Sequence, residues 1–386
     1  MKHLSFLFKT LISLFILFNA VILLSGKLHV YKAIKIGYLR GHNTATIEDL
    51  NFFDTRIIAA GKPDQWAKSA NYNKKSLEPE FRSRLEKNKS IALIVIQNDS
   101  IDYEEYWGIG SRSSRTNSFS VGKSIVSILI GIAIDEGYIE SVDQKVIDFI
   151  PEYNDEGKHF NNELTIKHLL TMSAGLKWDE GYYNPFGVTA ESYFTKNIDD
   201  LMLQVNCTNK PGEAWSYQSG STQLLGMVLS RATGKTISDY TSEKLWKPMG
   251  ATDDAEWMID KEGGMEKAFC CFNTNALDFA RFGKLYLNQG NWKGQQLVDS
   301  AYVKHSLTPS LSKYYGYSWW IYNERHKYPV FCMRGVNGQY IISIPELNVV
   351  AVRLGHKIEK YENHSASDLD FYIEEIIKQY DDSIDS

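Results

Sequence analysis

The chain has 386 residues, 43% hydrophobic and 13% aromatic, which is enough to bury one large core or two smaller lobes and too apolar for a disordered protein. Its formal net charge of −5 lacks the basic excess that phosphate-backbone binding needs, which argues against nucleic acid as a partner. The four cysteines (Cys207, Cys270, Cys271, Cys332) are too few for a disulfide scaffold and fit no zinc spacing; with no His-x-x-x-His pair among nine histidines, no metal or other cofactor is expected and the cysteines read as buried or incidental.

Residues 10–26 (TLISLFILFNAVILLSG) are nearly all apolar and follow Lys2, His3 and Lys9. The segment lies in length between a signal-peptide core and a full span, and no Ala-x-Ala site follows it. Residues 1–26 are therefore expected to be a signal anchor or uncleaved signal segment that binds the membrane, the protein being secreted if it is cleaved. Lys27, Lys32, Lys35 and Arg40 put positive charge on the far side as well, so loop charge does not set the orientation. An exported catalytic domain, periplasmic or extracellular, rests on the assignment of activity.

Residues 27–89 are polar and weakly periodic, and read as a connector plus a first helix. The domain proper is expected over 90–386. It opens on two strands, 91–97 (IALIVIQ) and 101–107, joined by a tight turn at Asn98-Asp99-Ser100. From Val121 the period changes to that of a helix, with Ile125, Ile128, Leu129, Ile132 and Ala133 on it, ending near Gly137. Further apolar-faced helices are predicted over 165–172, 223–232 and 276–287. A second hairpin, 339–344 with 349–354, and a terminal helix over 367–380 close the chain. Strands at both ends with helices between them give an α/β (α+β) fold: one antiparallel sheet flanked by helices, with an inserted, mostly helical lobe over roughly 138–275.

Three motifs carry chemistry. In Ser120-Val121-Gly122-Lys123 a helix would place the Lys123 amine one turn from the Ser120 hydroxyl, where desolvation lowers its pKa and lets it be neutral and take the serine proton. The same pattern recurs at Ser310-Leu311-Ser312-Lys313, but there it runs into Tyr314-Tyr315-Gly316, with no apolar helix to hold it. The second motif, Trp215-Ser216-Tyr217-Gln218-Ser219, is a polar loop before an apolar helix. Tyr217 beside an ammonium group can act as a base, and Ser219 can pass a proton toward the leaving group. In the third, Met333-Arg334-Gly335-Val336-Asn337-Gly338, glycine lets a strand edge approach ligand, and the Val336 and Ser120 amides are the expected oxyanion donors.

In this order and spacing the motifs resemble the class C β-lactamase and D-Ala-D-Ala carboxypeptidase superfamily of serine hydrolases, over about residues 90–354. The stretches Thr165-Ile166-Lys167-His168-Leu169-Leu170, Trp178-Asp179-Glu180, Asp278-Phe279-Ala280-Arg281-Phe282-Gly283 and Tyr317-Ser318-Trp319-Trp320 are most similar to its branch of 6-aminohexanoate-dimer hydrolase and related esterases. The resemblance implies a β-lactamase/transpeptidase-like fold and an acyl-enzyme on Ser120. Lys123 and Tyr217 then take the activating roles, and Ser219 stands where asparagine is common. It also implies a loop tyrosine, Tyr182 or Tyr183, that closes over substrate. Where β-lactamases carry Lys-Thr-Gly or His-Thr-Gly, this chain reads Met333-Arg334-Gly335. Arg334, Gly335 and Asn337 are the candidate substrate contacts on that strand, with Arg334 restoring a cation only if strand alternation turns it inward. The expected activity is hydrolysis of a small ester, amide or peptide. A β-lactamase or D,D-peptidase, and a non-catalytic ligand-binding domain, are the alternatives.

Overall fold

The computed structural model describes residues 2–157, 159–362 and 365–381. The run 91–97 is apolar on both faces, and the strand it forms is covered on both. Seven strands build the main sheet: β1 (Ala67–Lys68), β2 (Ser90–Gln97), β3 (Ser100–Tyr106), β4 (Trp320–Tyr322), β5 (Val330–Gly335), β6 (Gln339–Ile344) and β7 (Val349–Gly355). They lie in the order β4-β5-β6-β7-β2-β3-β1, antiparallel except where β1 joins β3. The two predicted hairpins meet at the centre, with Val350 opposite Ile96 and Val352 opposite Ile94. At the turn between β2 and β3, Asn98 and Asp99 both adopt positive φ (47° and 64°), the geometry a two-residue hairpin demands and asparagine and aspartate tolerate.

Alternation sorts the sheet's side chains. Ile94, Ile96, Ile341 and Val352 belong to the core shared with α4 (Val121–Asp135) and α7 (Ala276–Leu287). Leu93, Val95, Ile342 and Ala351 face a second core built with α3 (Pro79–Lys87) and α8 (Ser367–Tyr380). Helix α7 lies close on the sheet because position 283 is glycine: a Cβ there would sit 2.8 Å from Val350 Cγ1 and 2.9 Å from Ile341 Cγ2. The remaining long helices are α1 (Lys2–Ser25), α2 (His29–Ile36), α5 (Val188–Phe194) and α6 (Ser219–Thr233).

Two boundaries differ from the sequence expectation. Residues 27–89 are not a connector with one helix. They supply α2, which packs on α5, then the strand Thr55–Ile58 and strand β1 as well as α3. Thr55–Ile58 pairs with Ala255–Met258 in a small four-stranded sheet that also holds Phe272–Thr274 and Thr116–Asn117. The domain therefore begins well before residue 90, and the inserted lobe carries strands as well as helices. A four-residue strand whose partner lies some two hundred positions away has no local period long enough to reveal it. Over residues 165–172 only Ile166–Leu170 is helical, capped by Thr165, because Met172 turns to φ 56°. Helix α1 agrees with the apolar segment; residues 3–25 are long and apolar enough to cross a bilayer and are almost wholly unburied.

The Asp278/Arg281 pair explains one family-like stretch without chemistry. Both side chains are buried. Asp278 accepts from Arg281 Nε (2.7 Å), Thr252 Oγ1 (2.8 Å) and Asn275 Nδ2 (2.9 Å), while Arg281 also donates to the carbonyls of Met249 and Asp64. Removing the cation alone strands a buried carboxylate, so Arg281→Met is expected to cost about 3–5 kcal/mol, read as a fall in the urea midpoint. A loss below about 1 kcal/mol would show that the pair is not a structural clamp.

Candidate active site

The site is assembled around the first turn of α4, a helix whose residues from Val121 to Ala133 are all buried. Ser120 occupies the N-cap, and Phe119 before it is held at φ 47°. Asn117 fixes that bend: its Oδ1 accepts from Phe119 N (2.9 Å) and from Cys271 N (3.1 Å), another residue at positive φ (74°). Such backbone is costly for residues with a side chain and persists only where surrounding contacts impose it. Gly122 suits the close packing here, since a Cβ would lie 3.1 Å from the Cys270 carbonyl. Cys270 and Cys271 are joined in a disulfide between sequence neighbours, so these two are not the incidental thiols expected from the sequence. Cys207 and Cys332 are buried and free.

Lys123 Nζ donates to Ser120 Oγ (2.9 Å) and to the Phe269 carbonyl (2.9 Å). The side chain is buried, and burial pushes its pKa down to about 8, with the Glu180 charge opposing. Tyr217 lies alongside, its ring centroid 5.1 Å from Nζ. Burial, and next the Glu180 charge, push the phenol upward from 10, while Ser120 and Arg334 act in the other direction. The Tyr217 loop is tied to the segment after Ile166–Leu170: Ser216 N donates to the Met172 carbonyl (2.8 Å), and the Gln218 amide exchanges bonds with Leu176 (2.8 and 3.2 Å). That family-like segment thus acts as the backing of the loop. The Tyr317-Ser318-Trp319-Trp320 stretch does comparable work. The Ser318 carbonyl accepts from Ser124 Oγ on α4 (2.6 Å), and the Trp320 ring packs on Tyr217 (centroids 5.7 Å).

A carboxylate that sequence reasoning did not assign organises the other side. Glu180 Oε1 accepts from Ser219 Oγ (2.5 Å) and Tyr182 Oη (2.8 Å); its Oε2 accepts from Ser219 N (2.8 Å) and Trp178 Nε1 (2.7 Å). The Ser219 hydroxyl, expected from the sequence to pass a proton, donates here to Glu180 (2.5 Å). Glu180 was visible only as part of Trp178-Asp179-Glu180; its partners sit up to 39 positions away, beyond any local pattern.

A cavity of about 80 Å³ adjoins Ser120. Ser219, Tyr182, Tyr183 and Val336 line it. Tyr182 is drawn inward by Glu180 and Tyr183 stands 68% exposed at the rim. Ser120 and Val336, whose amides are the expected oxyanion donors, both border the cavity. Two of the expected substrate contacts lie elsewhere. Arg334 is buried beside Trp320 (4.1 Å to the ring centroid) and bonds Tyr322 Oη and Tyr361 Oη; strand alternation has turned it out of the cavity. Asn337 sends its amide toward the Ala45 carbonyl (3.5 Å), steadying a loop that itself lines the cavity. Gly335 serves close approach, since a Cβ would meet the Ser118 carbonyl at 2.3 Å. Ser310 and Lys313 lie outside any helix, with Lys313 over the Tyr314 ring, so the second Ser-x-x-Lys is surface loop.

Residues 80–368 match the family model described as Beta-lactamase. A 240-residue stretch is 25% identical to the 6-aminohexanoate-dimer hydrolase of Paenarthrobacter ureafaciens, covering 59% of this chain and 60% of that enzyme. Penicillin-binding protein 4* of Bacillus subtilis is 22% identical over 47% of this chain and 41% of its own length. The chain thus spans well under two thirds of these two relatives. Among solved structures, a Bacillus anthracis protein provisionally named a 6-aminohexanoate-dimer hydrolase superposes with a TM-score of 0.73 at 22% identity, covering 87% of this chain and 92% of its own. A penicillin-binding protein from Bacillus halodurans does so with 0.60 at 17%, over 78% and 99%.

The depressed Lys123 pKa has a direct readout. The amine is neutral, and able to take the Ser120 proton, only above its pKa, so the rate at which a fluorophosphonate labels Ser120 should rise with pH through about 8 and then level off. Lys123→Met should remove that rise and lower the plateau. Labelling that stays flat between about pH 6 and 9 in the unmodified protein would break the link between lysine and serine.

Proposed function

The chain belongs to the β-lactamase family of serine hydrolases, and from that premise we propose that it hydrolyses an ester or amide bond through an acyl-enzyme on Ser120. The observation that carries the reading is the 2.9 Å contact from buried Lys123 to Ser120 Oγ, joined to a lysine pKa of about 8. With Tyr217 pushed the opposite way, the two groups separate into a base and an acid. Lys123 takes the serine proton as Oγ attacks the carbonyl. Tyr217, still protonated, is placed to protonate the leaving oxygen or nitrogen, and Lys123 recovers its basic form as the proton is passed on. The amides of Ser120 and Val336 hold the oxyanion. Water then attacks the acyl-enzyme and returns the proton to Ser120.

Esters and linear amides rank ahead of penicillins and cell-wall peptides, because Arg334, the cation nearest the place of the usual Lys-Thr-Gly, is engaged with Trp320, Tyr322 and Tyr361. Export of the domain is supported by α1 as an anchor and by the Cys270–Cys271 disulfide, a bond that persists in oxidising compartments.

A panel of p-nitrophenyl butyrate, a linear amide dimer, nitrocefin and a D-Ala-D-Ala peptide tests the assignment. Butyrate turnover is expected to vanish in Ser120→Ala and to fall by roughly 10²- to 10⁴-fold in Tyr217→Phe. Parental turnover by Ser120→Ala would sink the mechanism. Nitrocefin turnover far above that of the ester would reverse the substrate ranking instead.

A further inference from the structure

The membrane-length helix does not merely precede the domain; it runs into a wall of the cavity. The last turns of α1 are held to α2, with Tyr31 Oη donating to Asn19 Oδ1 (2.7 Å) and Ile22 buried. Helix α2 is in turn clamped to the segment that closes the cavity opposite Ser120. Lys27 Nζ bonds Glu191 (2.5 Å) and His29 Nε2 contacts the Pro185 carbonyl (2.9 Å). Ala33 and Tyr38 from this junction, and Pro185, Ala190 and Phe194 from the facing segment, line the same cavity as Ser120. Ala33 lies eight positions after Ser25, where α1 ends. Even fully extended that stretch reaches less than about 28 Å, and in helical form about 12 Å. If α1 is in the bilayer, the cavity wall cannot leave its surface.

The rim on that side is apolar and uncovered. Leu28 is 57% exposed, Leu39 77% and Phe186 44%, on the segments that carry the wall. Exposed apolar side chains beside a membrane anchor fit the interfacial zone of a bilayer better than water. Charge agrees with apolarity: Arg334, the cation expected in the pocket, is turned away, and apolar and aromatic side chains make most of the lining.

From this junction we infer that the substrate is a membrane-borne amphiphile, an ester or amide carrying a hydrocarbon chain that enters from the bilayer surface past α2. The inference rests on the hydrolase reading above and specifies its substrate. The chemistry is unchanged. Ser120 Oγ bonds to the carbonyl carbon, the bond to the leaving oxygen or nitrogen breaks and that atom takes a proton. Water then releases the carboxylic acid. What is added is where the chain lies and from which side it comes.

The test uses the full chain in phosphatidylcholine vesicles with 4-methylumbelliferyl butyrate and dodecanoate. The expected result is a kcat/KM for dodecanoate at least about tenfold above butyrate, the gain that burying two or so further methylenes gives. Ala190→Phe, which fills the cavity, should lower that ratio. Partition of the longer ester into the vesicles would favour parent and variant alike, so the fall in ratio belongs to the cavity. Should this variant lose both activities, Tyr38→Asp at the same wall makes the comparison. Butyrate turned over as fast as dodecanoate overturns the amphiphile and leaves the hydrolase standing; an unchanged ratio in the cavity variants also overturns it. No turnover of either ester overturns the amphiphile too, and only if Ser120 also fails to take a fluorophosphonate label does the hydrolase reading fall with it.

Discussion

The structure of the site turns on one burial: an ammonium group taken out of water with only a serine hydroxyl and a backbone carbonyl to receive its protons. A charge so placed is expensive, and burial pushes the lysine's pKa down to about 8. Much of the local sequence follows from keeping that lysine dry and aimed. Helix α4 is buried from Val121 to Ala133, Gly122 lets the neighbouring backbone come close, and Phe119 is held at positive φ where Ser120 begins the helix. Asn117 reconciles these demands by holding two left-handed residues with one oxygen.

How much of this could be read beforehand depends on range. Helix α4, helix α7 over 276–287, α8 over 367–380 and the two central hairpins were legible because their burial repeats along the chain and their turns carry asparagine and aspartate where positive φ is needed. Ser120 and Lys123 were legible because one helical turn joins them. Tyr217 was placed by its loop, yet the upward push on its phenol was not, since that depends on burial by remote segments and on Glu180. The role of residues 33–45 escaped the sequence for a similar reason. Nothing in a weakly periodic polar stretch says that it will fold back beside Ser120, 75 or more positions later. Arg334 shows the limit of alternation: a strand pattern tells that a residue faces one side, and only the assembled sheet tells which side holds the substrate.

The third motif and the cavity answer one another. With arginine drawn onto Trp320 and glycine pressed against Ser118, the strand edge keeps its backbone geometry while losing the fixed positive charge that would select a carboxylate. The wall opposite, contributed by α2 and α5, offers hydrocarbon instead. Specificity in such a site comes from shape and desolvation more than from ion pairing, and discrimination by apolar contact grows slowly with each methylene.

The bridge between Cys270 and Cys271 has a different kind of consequence from most disulfides. A cross-link between distant residues stabilises a fold by removing freedom from the unfolded chain, and that effect shrinks with the loop enclosed. Here the sequence separation is 1, so almost no chain entropy is removed. What the small ring restrains is the peptide unit itself, and with it the direction of the Cys270 carbonyl, which receives Trp257 Nε1 one residue after the Phe269 carbonyl that receives Lys123. Its contribution is to local backbone rigidity beside the site.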